Sequence, residues 1–234
     1  ERVERRGAVR QFVALRVEDD VAHGLISREQ LQLGVGVDLP DETGEAGGLA
    51  RAVDPAVVDH VPAALPASFL RLPIAHRALH DAGAGRPENG PAAIRAAVQA
   101  GYGIEIDLQM SADGAALVFH DYDLDRLTAG KGLVRNLGTA EARALALKGG
   151  TGETIPTLPE VLAIVAGRVP LLIEIKDQSR VSGGTVGPLE AATAAALADY
   201  AGPAAVMSFN PDSVAEMARL APDVPRGLTT CAFT

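Results

Sequence analysis

The sequence predicts an α/β fold in which helices pack outside a parallel sheet that is either open or closed into a barrel. Two observations carry this. From about residue 70 onward, short apolar runs alternate with helical stretches that bear their own start and stop signals. Two of those runs also set an ionic face against an apolar one. With 234 residues the chain is close to the length at which such a sheet closes as one unit, about 250 residues, so one domain plus an appendage is expected.

Residues 1–68 read as an N-terminal extension or linker and residues 69–234 as the domain. In the extension, Leu31, Leu33, Val35, Val37 and Leu39 alternate with Gln32, Gly34, Gly36 and Asp38, the period of a strand. A loop rich in glycine and glutamate follows at Asp41–Gly48, and Pro55, Pro62 and Pro66 then interrupt regular structure. Gly34-Val35-Gly36 is not followed by a helix start, so it is not a dinucleotide-binding turn.

The domain opens with a strand over Leu72–Ala75. Asn89 then reads as the cap of a helix with Pro91 in its first turn, an apolar stripe of Ile94, Ala97 and Val98, and a stop at Gly101. Strands at Gly103–Met110 and Ala115–Phe119 are joined by Ser111-Ala112-Asp113-Gly114, whose Asp-Gly pair makes a turn, so a two-stranded excursion without a long helix is expected. Thr157-Leu158-Pro159-Glu160 has the spacing of a capping box, and Gly167 closes that helix. A strand at Pro170–Lys176, a helix over Pro188–Tyr200, a strand at Ala205–Phe209, a helix capped by Asn210 and a strand at Arg226–Thr230 complete the series.

Composition narrows the partners. Thirty acidic residues against 21 Lys and Arg give a formal charge of -9, which excludes an electrostatic nucleic-acid binder. No apolar run approaches the roughly 18 residues of a membrane span, so a soluble protein without stable membrane insertion is expected. The start, with Arg2, Arg5 and Arg6, has no apolar core of the secretory kind, and a cytoplasmic location follows by default. The first residue is Glu1 and not methionine, which leaves room for a start further upstream. The single Cys231 forms no internal disulfide and reads as a small buried hydrophobe.

The chemistry lies on the two ionic faces. Glu105 and Asp107 share one side of Ile104-Glu105-Ile106-Asp107-Leu108, and Glu174 and Lys176 share one side of the Pro170–Lys176 strand. The plain alternative is an amphipathic strand with a solvated side. Facing the interior of a barrel, three carboxylates are tolerable only when a cation or bases neutralise them, and an all-oxygen donor set selects a hard divalent ion such as Mg²⁺ or Ca²⁺. His76 and His120 stand at strand ends, where parallel barrels place their chemistry, and two imidazoles flanking a substrate can divide acid and base tasks. Arg77 offers a forked donor matched to phosphate oxygens. Glu88 is a supporting carboxylate or a solvated loop residue; Asp121 orients its neighbourhood; Asp113 is explained by its turn.

In chain order, His76-Arg77, Pro87-Glu88-Asn89, Glu105-Ile106-Asp107, His120-Asp121, Ile155-Pro156-Thr157-Leu158-Pro159-Glu160 and Glu174-Ile175-Lys176 resemble the motifs of the glycerophosphodiester phosphodiesterase family, in its short bacterial form. That resemblance covers residues from about 70 to the end. It implies a (β/α)₈ TIM barrel, a divalent cation on Glu105, Asp107 and Glu174, and His76 and His120 as the acid/base pair. It further implies Arg77 and Lys176 at the phosphate, Glu88 and Asp121 behind them, and hydrolysis of glycerophosphodiesters to glycerol 3-phosphate and an alcohol, a reaction of lipid and glycerol metabolism. The first nucleophile is water or the substrate's own glycerol hydroxyl.

Two departures stand out. Family members usually carry glycine after the His-Arg pair, and this chain has Ala78. About six strands are counted from His76 to Thr234 where eight are needed, so the barrel is expected to be incomplete at its C-terminal side, unless residues 1–68 supply substitute strands. The rivals are a related barrel phospholipase D acting on lysophospholipids, disfavoured by 3% aromatic content, and a catalytically inactive barrel fragment.

Overall fold

The computed structural model describes residues 10–16, 25–26, 31–36 and 63–230. The expectations for Arg2, Arg5 and Arg6, for Val37 to Leu39, for the loop and prolines between residues 41 and 62, and for Cys231 lie outside the described residues.

Among the described residues, nine strands and five α-helices follow one another as β1 (Arg10–Arg16), β2 (Leu25–Ile26), β3 (Leu31–Gly36), β4 (Ile74–Ala75), α1 (Pro91–Ala100), β5 (Gly103–Met110), β6 (Ala116–Val118), α2 (Thr139–Ala144), α3 (Leu158–Val165), β7 (Leu171–Ile175), α4 (Pro188–Leu197), β8 (Ala204–Ser208), α5 (Pro211–Leu220) and β9 (Arg226–Thr230). The hydrogen-bonded path is β2-β4-β5-β7-β8-β9-β1-β3, with β6 hung on β5. Strands β4, β5, β7, β8, β9 and β1 are mutually parallel, while β2 and β3 are antiparallel to their neighbours at the two ends. This is the α/β architecture of an incomplete barrel: six parallel strands, curled but not closed. Ile26 and Leu31, at the ends of the two outer strands, are five residues apart, a reach of at most about 18 Å. The two edges of the sheet therefore stand near each other although β2 and β3 are not paired.

The alternation read from the sequence places each side of the sheet. Outward-facing Ile104, Ile106, Leu108, Leu171, Ile173 and Ile175 pack with Ile94, Ala97, Leu158, Val161, Val165, Leu189 and Met217 of the helices, and all are buried. On the concave side, Phe69, Ile74, Leu172, Ala205 and Met207 form a separate apolar floor that reaches up to the register of Glu174. The antiparallel excursion of β5 and β6 is present, with Leu108 opposite Val118. The chain from 121 to 157, in which only the last helix start was legible, forms a side lobe with its own core of Leu117, Phe119, Leu124, Leu127, Val134, Ala142, Leu147 and Ile155.

Local signals hold in detail at some ends and not at others. Asn210 caps α5, its Oδ1 accepting from the Asp212 N–H at 2.9 Å. At α3, Glu160 Oε2 accepts from both the N–H and the hydroxyl of Thr157, so the threonine donates to the glutamate. Asp113 does more than turn the chain: its carboxylate accepts from the Thr139 N–H and hydroxyl, fixing the start of α2. Asn89 is not the cap of α1. Gly90 occupies that position, and Asn89 sits in the left-handed region at φ 57° with its side chain turned into the sheet. No helix among the described residues is long and apolar enough to cross a membrane.

Two loops touch backbone to backbone where α3 and α4 end. A Cβ on Gly202 would lie 2.6 Å from Gly167 Cα and 2.6 Å from the Tyr200 ring, whose hydroxyl accepts from the Gly167 N–H. The substitution Gly202→Ala therefore forces the loops apart and lowers stability by about 1–3 kcal/mol, read as a shifted urea midpoint. An unchanged midpoint would show that this contact yields freely.

Candidate functional site

The concave face turns ionic above the apolar floor. Parallel pairing of β5 with β7 sets Asp107 opposite Glu174, and period-two alternation puts Glu105 on the same side. Ligand atoms of Glu105, Asp107 and Glu174 lie within 4.8 Å of one another. The three residues are 0%, 1% and 5% exposed, which overturns the alternative of a solvated strand face.

Each carboxylate has its own support. Lys176 Nζ stands 2.8 Å from Asp107 Oδ1 and 2.7 Å from Glu174 Oε1. Asn89, from the loop before α1, donates through Nδ2 to Asp107 Oδ2 at 2.8 Å and accepts the Asp107 N–H at Oδ1. Glu105 Oε2 accepts the Arg77 N–H at 2.8 Å and lies 4.0 Å from His76 Nε2, while Glu105 Oε1 is buried without a hydrogen-bond partner. An oxygen-only donor set, converging and with a free oxygen, fits a hard divalent cation, and no soft or nitrogen donor stands among the three.

The electrostatics follow from this arrangement. Burial, reinforced by the charges of Asp107 and Glu174, pushes the Glu105 carboxyl well above its ordinary range. Burial also raises Glu174, with Lys176 opposing. For Asp107 burial acts in the same direction but loses to Lys176 and His120, and its pKa falls to about 2. Lys176 is driven upward, since Asp107 and Glu174 outweigh its own burial.

His76 and His120 sit above the triad. Burial and the neighbouring Arg77 lower His76 to about 4, and burial with the charges of Lys176 and Arg77 lowers His120. Arg77 Nη2 approaches His120 Nε2 at 2.8 Å. A guanidinium only donates, so Nε2 carries the lone pair and the proton sits on Nδ1, which donates to Asp121 Oδ1 at 2.7 Å. His120 is thereby neutral with a defined tautomer.

A residue that sequence reasoning missed ties the periphery together. Arg126 donates through Nη1 and Nη2 to Glu88 at 2.7 and 2.8 Å, and through Nε and Nη2 to Asp121 at 2.7 and 2.8 Å. Glu88 also pairs with Arg77 Nη1 at 3.3 Å. Arg77, Glu88, Arg126, Asp121 and His120 thus close a ring. Despite burial, Glu88 and Asp121 are held below the usual carboxylate range by Arg126, with help from Arg77 and His120 respectively. The signal for Arg126 was the pair of acids, Glu88 and Asp121, that lacked an assigned base.

Ala78 adopts φ 65° and is fully buried, its methyl packed in the core. The left-handed conformation costs an alanine roughly 1–2 kcal/mol, and the buried methyl returns about 0.8 kcal/mol. The buried methyl thus offsets part of the cost of an alanine at this position.

A model of the glycerophosphoryl diester phosphodiesterase family matches residues 76–233. A glycerophosphodiester phosphodiesterase of Caldanaerobacter subterraneus is 36% identical over 152 residues, which are 61% of this chain and 60% of that protein. Among solved structures, a phosphodiesterase of Oleispira antarctica in complex with the product sn-glycerol-3-phosphate aligns with a TM-score of 0.61 at 31% identity, covering 70% of this chain and 68% of that one. A glycerophosphodiester phosphodiesterase of Agrobacterium tumefaciens aligns at 0.55 and 30% identity, over 65% and 64% of the two chains. The chain spans about three fifths of the length of the curated relatives it matches.

The triad predicts a pH dependence of stability. Glu105 and Glu174 have folded pKa values above their unfolded ones, so their contribution is full below the unfolded carboxylate range and is lost as pH rises through the folded values. Asp107 acts oppositely: its contribution is present above the unfolded carboxylate range and is lost as pH falls through about 2. In chelator, the two glutamates therefore cost stability as pH rises, against a gain from His76 and His120, whose lowered folded pKa values act the other way, and Mg²⁺ or Ca²⁺ relieves the cost of the glutamates. A cation at a hundredfold excess over its Kd adds about 2.7 kcal/mol, and the melting temperature rises more at pH 8 than at pH 5. Equal melting curves with and without cation at both pH values would refute the site as a cation binder.

Proposed function

The chain belongs to the glycerophosphoryl diester phosphodiesterase family, and on that premise we propose that it hydrolyses glycerophosphodiesters to glycerol 3-phosphate and an alcohol. The observation that carries this reading is the buried triad of Glu105, Asp107 and Glu174, with His76 4.0 Å from Glu105 and His120 on the Arg77 guanidinium beside it. The protein of Oleispira antarctica, solved with sn-glycerol-3-phosphate, supports the product class.

Glu105, Asp107 and Glu174 would hold the divalent cation, Mg²⁺ or Ca²⁺, which supplies Lewis-acid withdrawal of charge from a phosphate oxygen. Arg77 and Lys176 bind and orient the phosphate. Both project over the triad: the Arg77 guanidinium lies 3.9 Å from Asp107, and the Lys176 ammonium contacts two of the three carboxylates. His76 and His120 move the protons. One removes a proton from the nucleophile, water or the substrate's own glycerol hydroxyl, and the other delivers one to the leaving alkoxide. Both are held neutral in the cationic surroundings of Arg77 and Lys176, and the His120 Nε2 lone pair, which accepts from Arg77 Nη2, becomes available for a proton once Arg77 turns to the phosphate. An anionic phosphodiester bound between them favours protonation of its partner imidazole, which then serves as the acid. Asp121 keeps the His120 proton on Nδ1 and steadies the imidazolium once Nε2 is protonated. Asn89 and the Arg77 N–H fix Asp107 and Glu105 so that neither swings when substrate enters.

The test is release of glycerol 3-phosphate from glycerophosphocholine, with and without chelator. Turnover is expected to vanish in chelator and to fall roughly a hundredfold or more in His76→Ala and in His120→Ala. The cation-induced rise in melting temperature is retained in both variants. Equal turnover in the parent and the two variants would end the acid/base assignment.

A further inference from the structure

The polar side of β5 does not end at Asp107. Gln109, two residues on and on the same side, is 2% exposed, and Gln178, in the turn that follows β7, is buried to the same degree. Gln178 Nε2 donates to Gln109 Oε1 at 3.0 Å and to the Lys176 carbonyl at 3.0 Å. Gln109 Nε2 donates to the His120 carbonyl at 3.1 Å. Two buried amides thus connect the backbone of His120 to the backbone of Lys176.

The sense of this chain is fixed by chemistry. Both terminal partners are carbonyl oxygens, so each end must be an amide NH₂, and the single internal contact then runs from Gln178 nitrogen to Gln109 oxygen. Turning either amide over sets oxygen against oxygen. The pair is also a poor device for stability alone. Gln178 Oε1 is buried with no partner, and apolar side chains of similar volume would fill the space without that desolvation cost. A second tie, the Tyr122 hydroxyl donating to the Asp177 carbonyl at 3.1 Å, already joins the same two loops.

We propose that Gln109 and Gln178 are positioning residues, a one-way amide relay that sets the His120 ring at a fixed separation from the Lys176 ammonium. Its catalytic consequence rests on the hydrolase reading above; its structural consequence does not. Either link, when cut, leaves the two loops tied at Tyr122 alone, a tie that does not reach His120 or Lys176, and displacements on the order of 1 Å at reacting groups cost roughly tenfold to a hundredfold in turnover.

The experiment uses the full chain with Gln109→Met, Gln178→Met and the double substitution, since methionine keeps the length and volume of glutamine. Each single variant is expected to lower kcat on glycerophosphocholine by roughly tenfold or more, and the double variant by no more than the worse single, because both cuts break one device. Additive losses, unchanged kcat, or losses that merely track the unfolded fraction in urea would overturn the relay. The ring ¹⁵N signals of His120, recorded without substrate, give a readout independent of turnover. They are expected to move in Gln178→Met, although Gln178 makes no hydrogen bond to His120; signals that move only in Gln109→Met overturn the proposal. Coupled His120 signals in a chain that releases no glycerol 3-phosphate would leave the relay standing and remove the hydrolase reading.

Discussion

Three carboxylates crowded out of water form the constraint to which the rest of the structure answers. Two like charges 4 Å apart repel by roughly 4 kcal/mol at an effective dielectric of 20, and Glu105, Asp107 and Glu174 lie within 4.8 Å of each other at almost no exposure. Folding tolerates this because the surroundings are organised around it. Lys176 neutralises Asp107 and Glu174, Asn89 braces Asp107, and Glu105 receives only a backbone N–H. The asymmetry explains why Glu105 is pushed toward the neutral form while Asp107 stays ionised. It also makes Glu105 the point at which added positive charge has most to gain.

The sheet supplies the convergence without strain. Parallel registry of β5 and β7 aligns Asp107 with Glu174 and leaves Glu105 one pleat below, next to the apolar floor. The helices bury the outward face, so the polar groups gather on the concave face, where Leu172 stands opposite Glu105 and Met207 opposite Glu174 as the apolar neighbours of the carboxylates. A one-residue slip in either strand would drive carboxylates into the helix layer, which makes the register costly to violate.

Legibility in the sequence tracked periodicity. The strands and the alternation that places Glu105, Asp107, Glu174 and Lys176 on one side are period-two features, visible in one dimension, and so are α1, α3, α4 and α5 from their caps and stripes. Gln109 continued the same alternation and was readable by the same rule. What was illegible is non-periodic. Asn89 has the composition of a helix cap, and only its φ of 57° reveals that the side chain turns the other way, toward Asp107. Arg126 finds Glu88 across 38 positions, a pairing that the folded 121–157 lobe creates and no local pattern announces. The pairing of β1 with β9 and of β2 with β4 likewise depends on long-range contact, since neither short segment carries a turn or cap that fixes its partner.

The doublets of the sequence acquire a physical reason in this arrangement. His76-Arg77, Glu88-Asn89 and His120-Asp121 each place one group toward the triad or the space above it and one in the outer ring. His76 and His120 flank the triad and Asn89 braces it; Arg77, Glu88 and Asp121 join Arg126 around the rim. Arg77 serves both layers, with its N–H on Glu105 and its guanidinium on Glu88 and His120. Left-handed backbone at Arg77, Ala78 and Asn89 turns successive residues into different layers within a single step, which extended strand geometry alone cannot do. The cost of those three conformations is of order 1–2 kcal/mol each. It is borne at two of the three doublets, His76-Arg77 and Glu88-Asn89, and not along the strands.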